Sequence, residues 1–165
     1  MSDTPPAPAP TARPIRYHWE DFVVGQVRES GRYEVTREAV LAFAREFDPQ
    51  PFHLDDAAAE ASLFGRLAAS GWHTCAMLMR MMCDAYLLES AALGSPGIES
   101  LKWLAPVYPG DVLHARFTVL ESRPLASRPG VGLIRSASRV LNQDDVTVLT
   151  MEGYGMFRRR PVAAP

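Results

Sequence analysis

Asp48 and His53, two side chains able to exchange protons, stand five positions apart in the stretch FDPQPFHLD, with Pro49 and Pro51 stiffening the chain between them. A plain surface turn needs neither the second proline nor the histidine. Fixed φ angles remove loop entropy that would blur the placement of two reacting groups. A general acid or base must sit within roughly 3 Å of the proton it moves, and is then worth about 10² to 10⁴ in rate. An acid and a base on a rigid bridge suit a reaction in which one group takes a proton from water and the other delivers a proton to the substrate.

A neutral imidazole accepts such a proton at physiological pH. Asp48 would need partial desolvation beside an apolar element to carry a proton near pH 7. The two residue types alone leave open which is acid and which is base. If the substrate carries a carbonyl, its oxygen needs a donor as charge develops, and Ser70-Gly71 offers one if a helix begins there. Its first N–H groups are unpaired, and glycine lets a carbonyl approach the main chain. Gly71 is equally explained as a tight-turn residue and Ser70 as a helix N-cap.

The surrounding pattern supplies the elements that position these residues. A short strand is expected near Arg28 to Val35. Thr36 caps a helix through REAVLAFAREF, with Val40, Phe43, Ala44 and Phe47 on one face. Asp48-Pro49 ends it. Asp55 or Asp56 caps a second short helix, with Gly65 closing it. From Trp72 to Leu88 the chain is apolar nearly all round, as in a helix wrapped by other elements. Met77, Met79, Met81 and Met82 read there as core filler, the alternative being the lining of an acyl tunnel. Strands are expected at Ile98–Leu104, Val112–Glu121, Val131–Leu141 and Val146–Phe157, separated by Pro-Gly-Asp, Arg-Pro-Gly and Asn-Gln-Asp-Asp turns. An antiparallel sheet curled around one buried helix, an α+β arrangement, accommodates this order.

Composition narrows the partners. A net charge of −2 over 165 residues gives no general attraction to nucleic acid or acidic membranes. Cys75 and Cys83, eight apart on one helix, are too distant to bridge and fit a reducing compartment. Four histidines without H-x-x-x-H or C-x-x-C spacing give no metal site. His73, Arg80 and Asp84 interrupt the apolar run and argue against a membrane span. The expectation is a soluble cytoplasmic protein with a disordered Pro/Ala-rich tail over 1–16, one domain over 17–160 and a C-terminal tail over 161–165. The basic run Arg158, Arg159, Arg160 reads as a solvated strand end, with the phosphates of a ligand as the alternative.

From Trp19 to Arg160 the chain resembles the MaoC-like hot-dog family, which includes R-specific enoyl-CoA hydratases. The likeness rests on the order of helix, Asp/His bridge, Ser-Gly, buried helix and a strand set containing APVYPGDVL. The family's bridge carries Asp, Asn, Pro and His where this chain has Asp48, Gln50, Pro51 and His53, so the Asn is replaced. The resemblance implies a hot-dog fold: an antiparallel sheet around a long central helix, with an overhanging segment carrying the active site. It implies Asp48 and His53 as catalytic residues, and Gly71, Ser70 and Gln50 as oxyanion and substrate-binding residues. It also implies an acyl-CoA substrate, no cofactor beyond the coenzyme A of that substrate, and a homodimer or higher homo-oligomer. Acyl-CoA thioester hydrolysis and non-catalytic acyl-CoA binding are the alternatives to hydration.

Overall fold

A computed structural model describes residues 13–161. Of the tails expected over 1–16 and 161–165, residues 1–12 and 162–165 lie outside the described residues. Seven antiparallel strands form the sheet: β1 (Val27–Glu29), β2 (Tyr33–Glu34), β3 (Ala92–Gly94), β4 (Ile98–Trp103), β5 (Val112–Pro124), β6 (Val131–Leu141) and β7 (Thr147–Arg158). Their order is β1-β5-β6-β7-β3, with β2 also on β5 and β4 also on β7. Among the described residues, three α-helices accompany them: α1 (Arg37–Phe47), α2 (Asp56–Glu60) and α3 (Gly71–Ala85). The expected hot-dog architecture is observed, with α3 lying against the sheet.

The long strands form because apolar residues alternate along them. In β5, Leu113, Ala115, Phe117 and Val119 are all buried, which places every second side chain on the face toward α3. The matching stripe of α3 is His73, Thr74, Met77, Leu78 and Met81, spaced three and four apart. The helix is not enclosed all round as its composition suggests, because Trp72 is 61% and Met79 50% exposed. The Arg80–Asp84 pair, at 2.8 Å, lies on that open side, where solvent screens it and it contributes little.

The first helix builds the approach to the bridge. Thr36 caps α1 by accepting from the Ala39 N–H at 3.2 Å, as its position predicts. Val40 and Ala44 are buried, and Phe43 stacks on His73 with ring centroids 4.7 Å apart. Phe47, expected on the same buried face, is 65% exposed because the helix ends there and runs past its support. The strand expected across residues 28–35 is two short strands, β1 and β2, both held by β5.

The chain ahead of the domain is tied across one end of the sheet. The Arg16 N–H donates to Glu89 O at 2.7 Å, and Trp19 lies so close over Gly132 that a Cβ there would come within 2.1 Å of the indole. Arg159 and Arg160 pair with Glu20 and Asp21 at 3.4 and 2.7 Å. Those two guanidinium groups therefore hold this strap, and coenzyme A phosphates are not needed to explain them.

His73 is 6% exposed and its Nδ1 has no hydrogen-bond partner among the described residues. Burial pushes its proton affinity down, so the folded protein holds it neutral. The unfolded chain binds a proton that the folded one does not, so stability is fully present above the ordinary imidazole pKa of about 6.5 and declines as pH falls below it. In urea unfolding from pH 7 to 5, replacing His73 with Phe is expected to flatten this decline, which for one proton has a slope of up to about 1.4 kcal/mol per pH unit. Equal slopes in both proteins would exclude His73 as its source.

Candidate active site

The bridge begins where α1 stops. Asp48 still donates its N–H to Ala44 O at 3.0 Å, but Pro49 disfavours helical geometry in the residue before it, and Asp48 turns out at φ −148°, ψ 67°. A tight turn follows, with the Gln50 N–H on Asp48 O at 2.8 Å, and Pro51 then opens a 3-10 turn ending at His53. The two prolines thus separate the carboxylate from a turn that folds the imidazole back toward it. His53 Nε2 lies 3.6 Å from Asp48 Oδ2.

His53 is 4% exposed, and its Nδ1 is 2.8 Å from Ala68 O. A carbonyl only accepts, so Nδ1 carries the proton in the neutral ring and Nε2 presents a lone pair to the Asp48 side. Ala68 is itself held in place, since the neighbouring Ala69 N–H donates to Val107 O at 2.8 Å. Val107 belongs to the APVYPGDVL segment, where the Tyr108 N–H donates to buried Asp111 at 2.8 Å and the Tyr108 hydroxyl to Phe64 O at 3.0 Å.

Asp48 is half-buried and accepts from two sides. The Ser70 hydroxyl donates to Oδ2 at 2.6 Å, and Gln50 Nε2 donates to Oδ1 at 2.7 Å. The Ser70 bond is the main reason that the carboxyl lies below the ordinary carboxylate range; partial burial opposes it, and the Gln50 bond and His53 add to it. The desolvation that Asp48 would need to carry a proton near pH 7 is outweighed by this hydroxyl, and the group is ionised at neutral pH.

Ser70 also caps α3, accepting from the Trp72 N–H at 3.2 Å. The Gly71 N–H lies in the first turn, beyond reach of any carbonyl of its own helix. Both readings of Ser70-Gly71 thus coexist, as cap and as candidate donor. Asp48, Gln50, His53, Ser70 and Gly71 all line one cavity of about 500 Å³, together with Phe52, Phe64, Trp72, Thr74, Trp103 and the segment 104–107.

Trp103, at the end of β4, went unrecognised in the sequence. Its indole N–H donates to Gly71 O at 2.8 Å, and a Cβ on Gly71 would lie 2.8 Å from the ring. Gly71 is therefore required by this indole, whatever else approaches it. Trp72 meets Trp103 edge-on at 5.5 Å. Met77 and Met81 are buried in the core, whereas Met79 and Met82 line a second, apolar cavity of about 310 Å³ along the C-terminal half of α3. His73 packs as expected, and Cys75 and Cys83 are free and half-buried. Among the described residues, no three of His, Cys, Asp and Glu gather to hold a metal ion, and no helix is long and apolar enough to cross a membrane.

An antiparallel hot-dog sheet with an Asp/His bridge overhanging the start of its central helix defines a class to which comparison gives a name. Residues 21–135 match the MaoC like domain, and the chain belongs to that family. A MaoC-like dehydratase structure from Rhodospirillum rubrum is 44% identical, with a TM-score of 0.82, covering 89% of this chain and all of that one. The unliganded R-hydratase PhaJ1 of Pseudomonas aeruginosa is 25% identical, with a TM-score of 0.70 over 90% of this chain and 92% of its own. The mesaconyl-CoA hydratase of Cereibacter sphaeroides is 36% identical over 74 residues, which is 45% of this chain and 21% of that protein.

Replacing Gly71 with Ala is expected to cost roughly 1–3 kcal/mol in urea unfolding, because the new methyl group must displace the Trp103 ring. Combining Gly71→Ala with Trp103→Ala removes the clash, so the pair should cost less than the sum of the single changes. Additive losses would show that the two residues do not meet.

Proposed function

We propose that the protein is a hydro-lyase that reversibly hydrates a 2-enoyl-CoA, or equivalently dehydrates a 3-hydroxyacyl-CoA. The single observation that carries this reading is the pairing of two proton acceptors, the His53 Nε2 lone pair and the ionised Asp48 Oδ2, 3.6 Å apart. Two acceptors so close suit a molecule with two hydrogens to give, and water is that molecule. The relatives named hydratase and dehydratase support the same reading.

The chemistry then follows from relative basicity. An imidazole is intrinsically a stronger base than a carboxylate, and Ser70 widens the difference by holding Asp48 down. His53 Nε2 takes one proton as the water oxygen bonds to the β-carbon of the enoyl thioester. The double-bond electrons move toward the thioester carbonyl, whose oxygen becomes an enolate facing the Gly71 N–H and the N-terminus of α3. The imidazolium, steadied by the Asp48 carboxylate, returns the proton to the α-carbon, so that H and OH have been added and the enzyme is restored. Dehydration runs these steps backward.

An acyl substrate suits the apolar walls. The cavity lined by Met79 and Met82 lies about 12 Å further along α3 than Gly71, by helical rise, and would accommodate an acyl tail. A homodimer is the proposed assembly, supported by exposed Ile98, Trp103 and Leu104 at the β4 edge beside exposed Trp72 and Met79 of α3. Such an assembly would also close the cavity mouth.

Loss of the conjugated enoyl thioester absorbance across a panel of acyl chains tests the reaction. Asp48→Asn and His53→Gln are each expected to lower hydration by about 10² to 10⁴ with circular dichroism unchanged. Unchanged rates in both variants would refute the assignment. Release of free thiol with the alkene intact would instead identify a thioesterase, and tight binding of acyl-CoA without turnover would identify a binding module.

A further inference from the structure

Trp103 reaches Asp48 through a continuous series of hydrogen bonds. Its indole N–H donates to Gly71 O at 2.8 Å. That carbonyl shares a peptide group with the Trp72 N–H, which donates to Ser70 Oγ at 3.2 Å. The Ser70 hydroxyl then donates to Asp48 Oδ2 at 2.6 Å, and since the carboxylate only accepts, the hydrogen must lie on the serine side. Every donor points the same way, from the sheet toward the carboxylate. A bond received at a peptide oxygen polarises the peptide and strengthens its N–H as a donor, and a hydroxyl that accepts such a bond donates more strongly in turn.

We propose that Trp103 is a positioning residue for Asp48, acting from β4 through the Gly71–Trp72 peptide and the Ser70 hydroxyl to orient the carboxylate and keep it ionised. What Asp48 then does rests on the hydratase reading, whereas the relay itself does not. The geometry favours this role over that of a passive wall. Ser70 is 1% exposed, so its hydroxyl has few alternatives to the two bonds it makes. The indole is seated against a residue with no side chain, which brings its N–H to the Gly71 carbonyl. The other groups facing Asp48 are His53 Nε2 at 3.6 Å and Gln50 Nε2 at 2.7 Å, both on the bridge. On the Trp103 side stands Cys75, a half-buried thiol that burial pushes up, the indole partly opposing, so it stays neutral where a carboxylate titrates.

The test is a titration cycle followed by carbon-13 NMR of the Asp48 carboxyl, assigned by its loss in Asp48→Asn. It compares the full chain with Trp103→Phe, Ser70→Ala and the double variant. Trp103→Phe is expected to raise the Asp48 midpoint by roughly 0.3–0.5 pH, about two- to threefold in the acid constant. Ser70→Ala should raise it further, and adding Trp103→Phe to Ser70→Ala should change nothing more. An equal Trp103→Phe shift with Ser70 absent, or no shift in the folded single variant, would overturn the relay.

If Trp103→Phe does not fold, benzothienylalanine at position 103 keeps the bicyclic shape without the N–H and gives the same comparison. Kinetics with a 2-enoyl thioester supply a second reading. A severalfold loss in kcat with KM within about twofold fits positioning, whereas a raised KM with kcat intact would make Trp103 a substrate wall and remove the proposal. A wild-type protein with no turnover would refute the hydratase reading while the titration still decides the relay.

Discussion

The hydrogen bond from Ser70 to Asp48 joins the two halves of the site. Without it, the bridge would be a stiff loop ending beside a helix, its carboxylate held only by the exposed Gln50 amide and having lost the main group that lowers it. With it, one hydroxyl does two things: it satisfies the Trp72 N–H at the start of α3 and fixes Oδ2 at 2.6 Å. The local helix cap and the placement of the carboxylate are therefore a single constraint. Alanine at position 70 would leave both the first-turn N–H and the carboxylate short of a partner.

The imidazole is held by an independent route. Its Nδ1 is anchored on Ala68 O, and the neighbouring Ala69 is pinned to the connection between β4 and β5 through the Ala69–Val107 bond. His53 thus takes its orientation from that connection, whereas Asp48 takes its own from the start of α3. The 3.6 Å separation results from two separately supported groups being brought to one point. That is how a bridge of two prolines becomes useful: it is stiff enough to transmit both placements without averaging them.

Much of this was legible in the sequence where a local rule decided the outcome. β6 spans Val131–Leu141 as read, because turn residues flank it at both ends. The start of α3 follows from Ser70, while its end was misplaced. Apolar residues continue through a 3-10 turn at Leu87–Glu89, so hydropathy carries no mark of the helix stopping at Ala85. The three-residue β3 has neither alternation nor buried residues to announce it. Trp103 was read only as a strand residue, since its contact with Gly71 joins positions 32 apart and depends on how β4 docks beside α3. The charge on Asp48 stayed open for a related reason: an apolar neighbourhood is visible in composition, but the aim of one serine hydroxyl is not.

Gln50 shows how a departure from a motif can be absorbed. The family's Asn would bring its amide closer to the backbone, and one extra methylene displaces that amide by about a carbon–carbon bond. In this chain the added length is taken up by geometry, because Gln50 Nε2 still reaches Asp48 Oδ1 at 2.7 Å. Gln50 is exposed, so ordering its longer side chain costs more rotamer freedom than Asn would. That cost falls on the solvent-facing oxygen of Asp48, while Oδ2, the one nearest His53, is served by buried Ser70. The two carboxylate oxygens are thus unequal: one is held by an exposed amide at the rim, the other by a buried cap in the interior. A change at position 50 perturbs the rim first, and the oxygen that faces the imidazole remains governed by the start of α3.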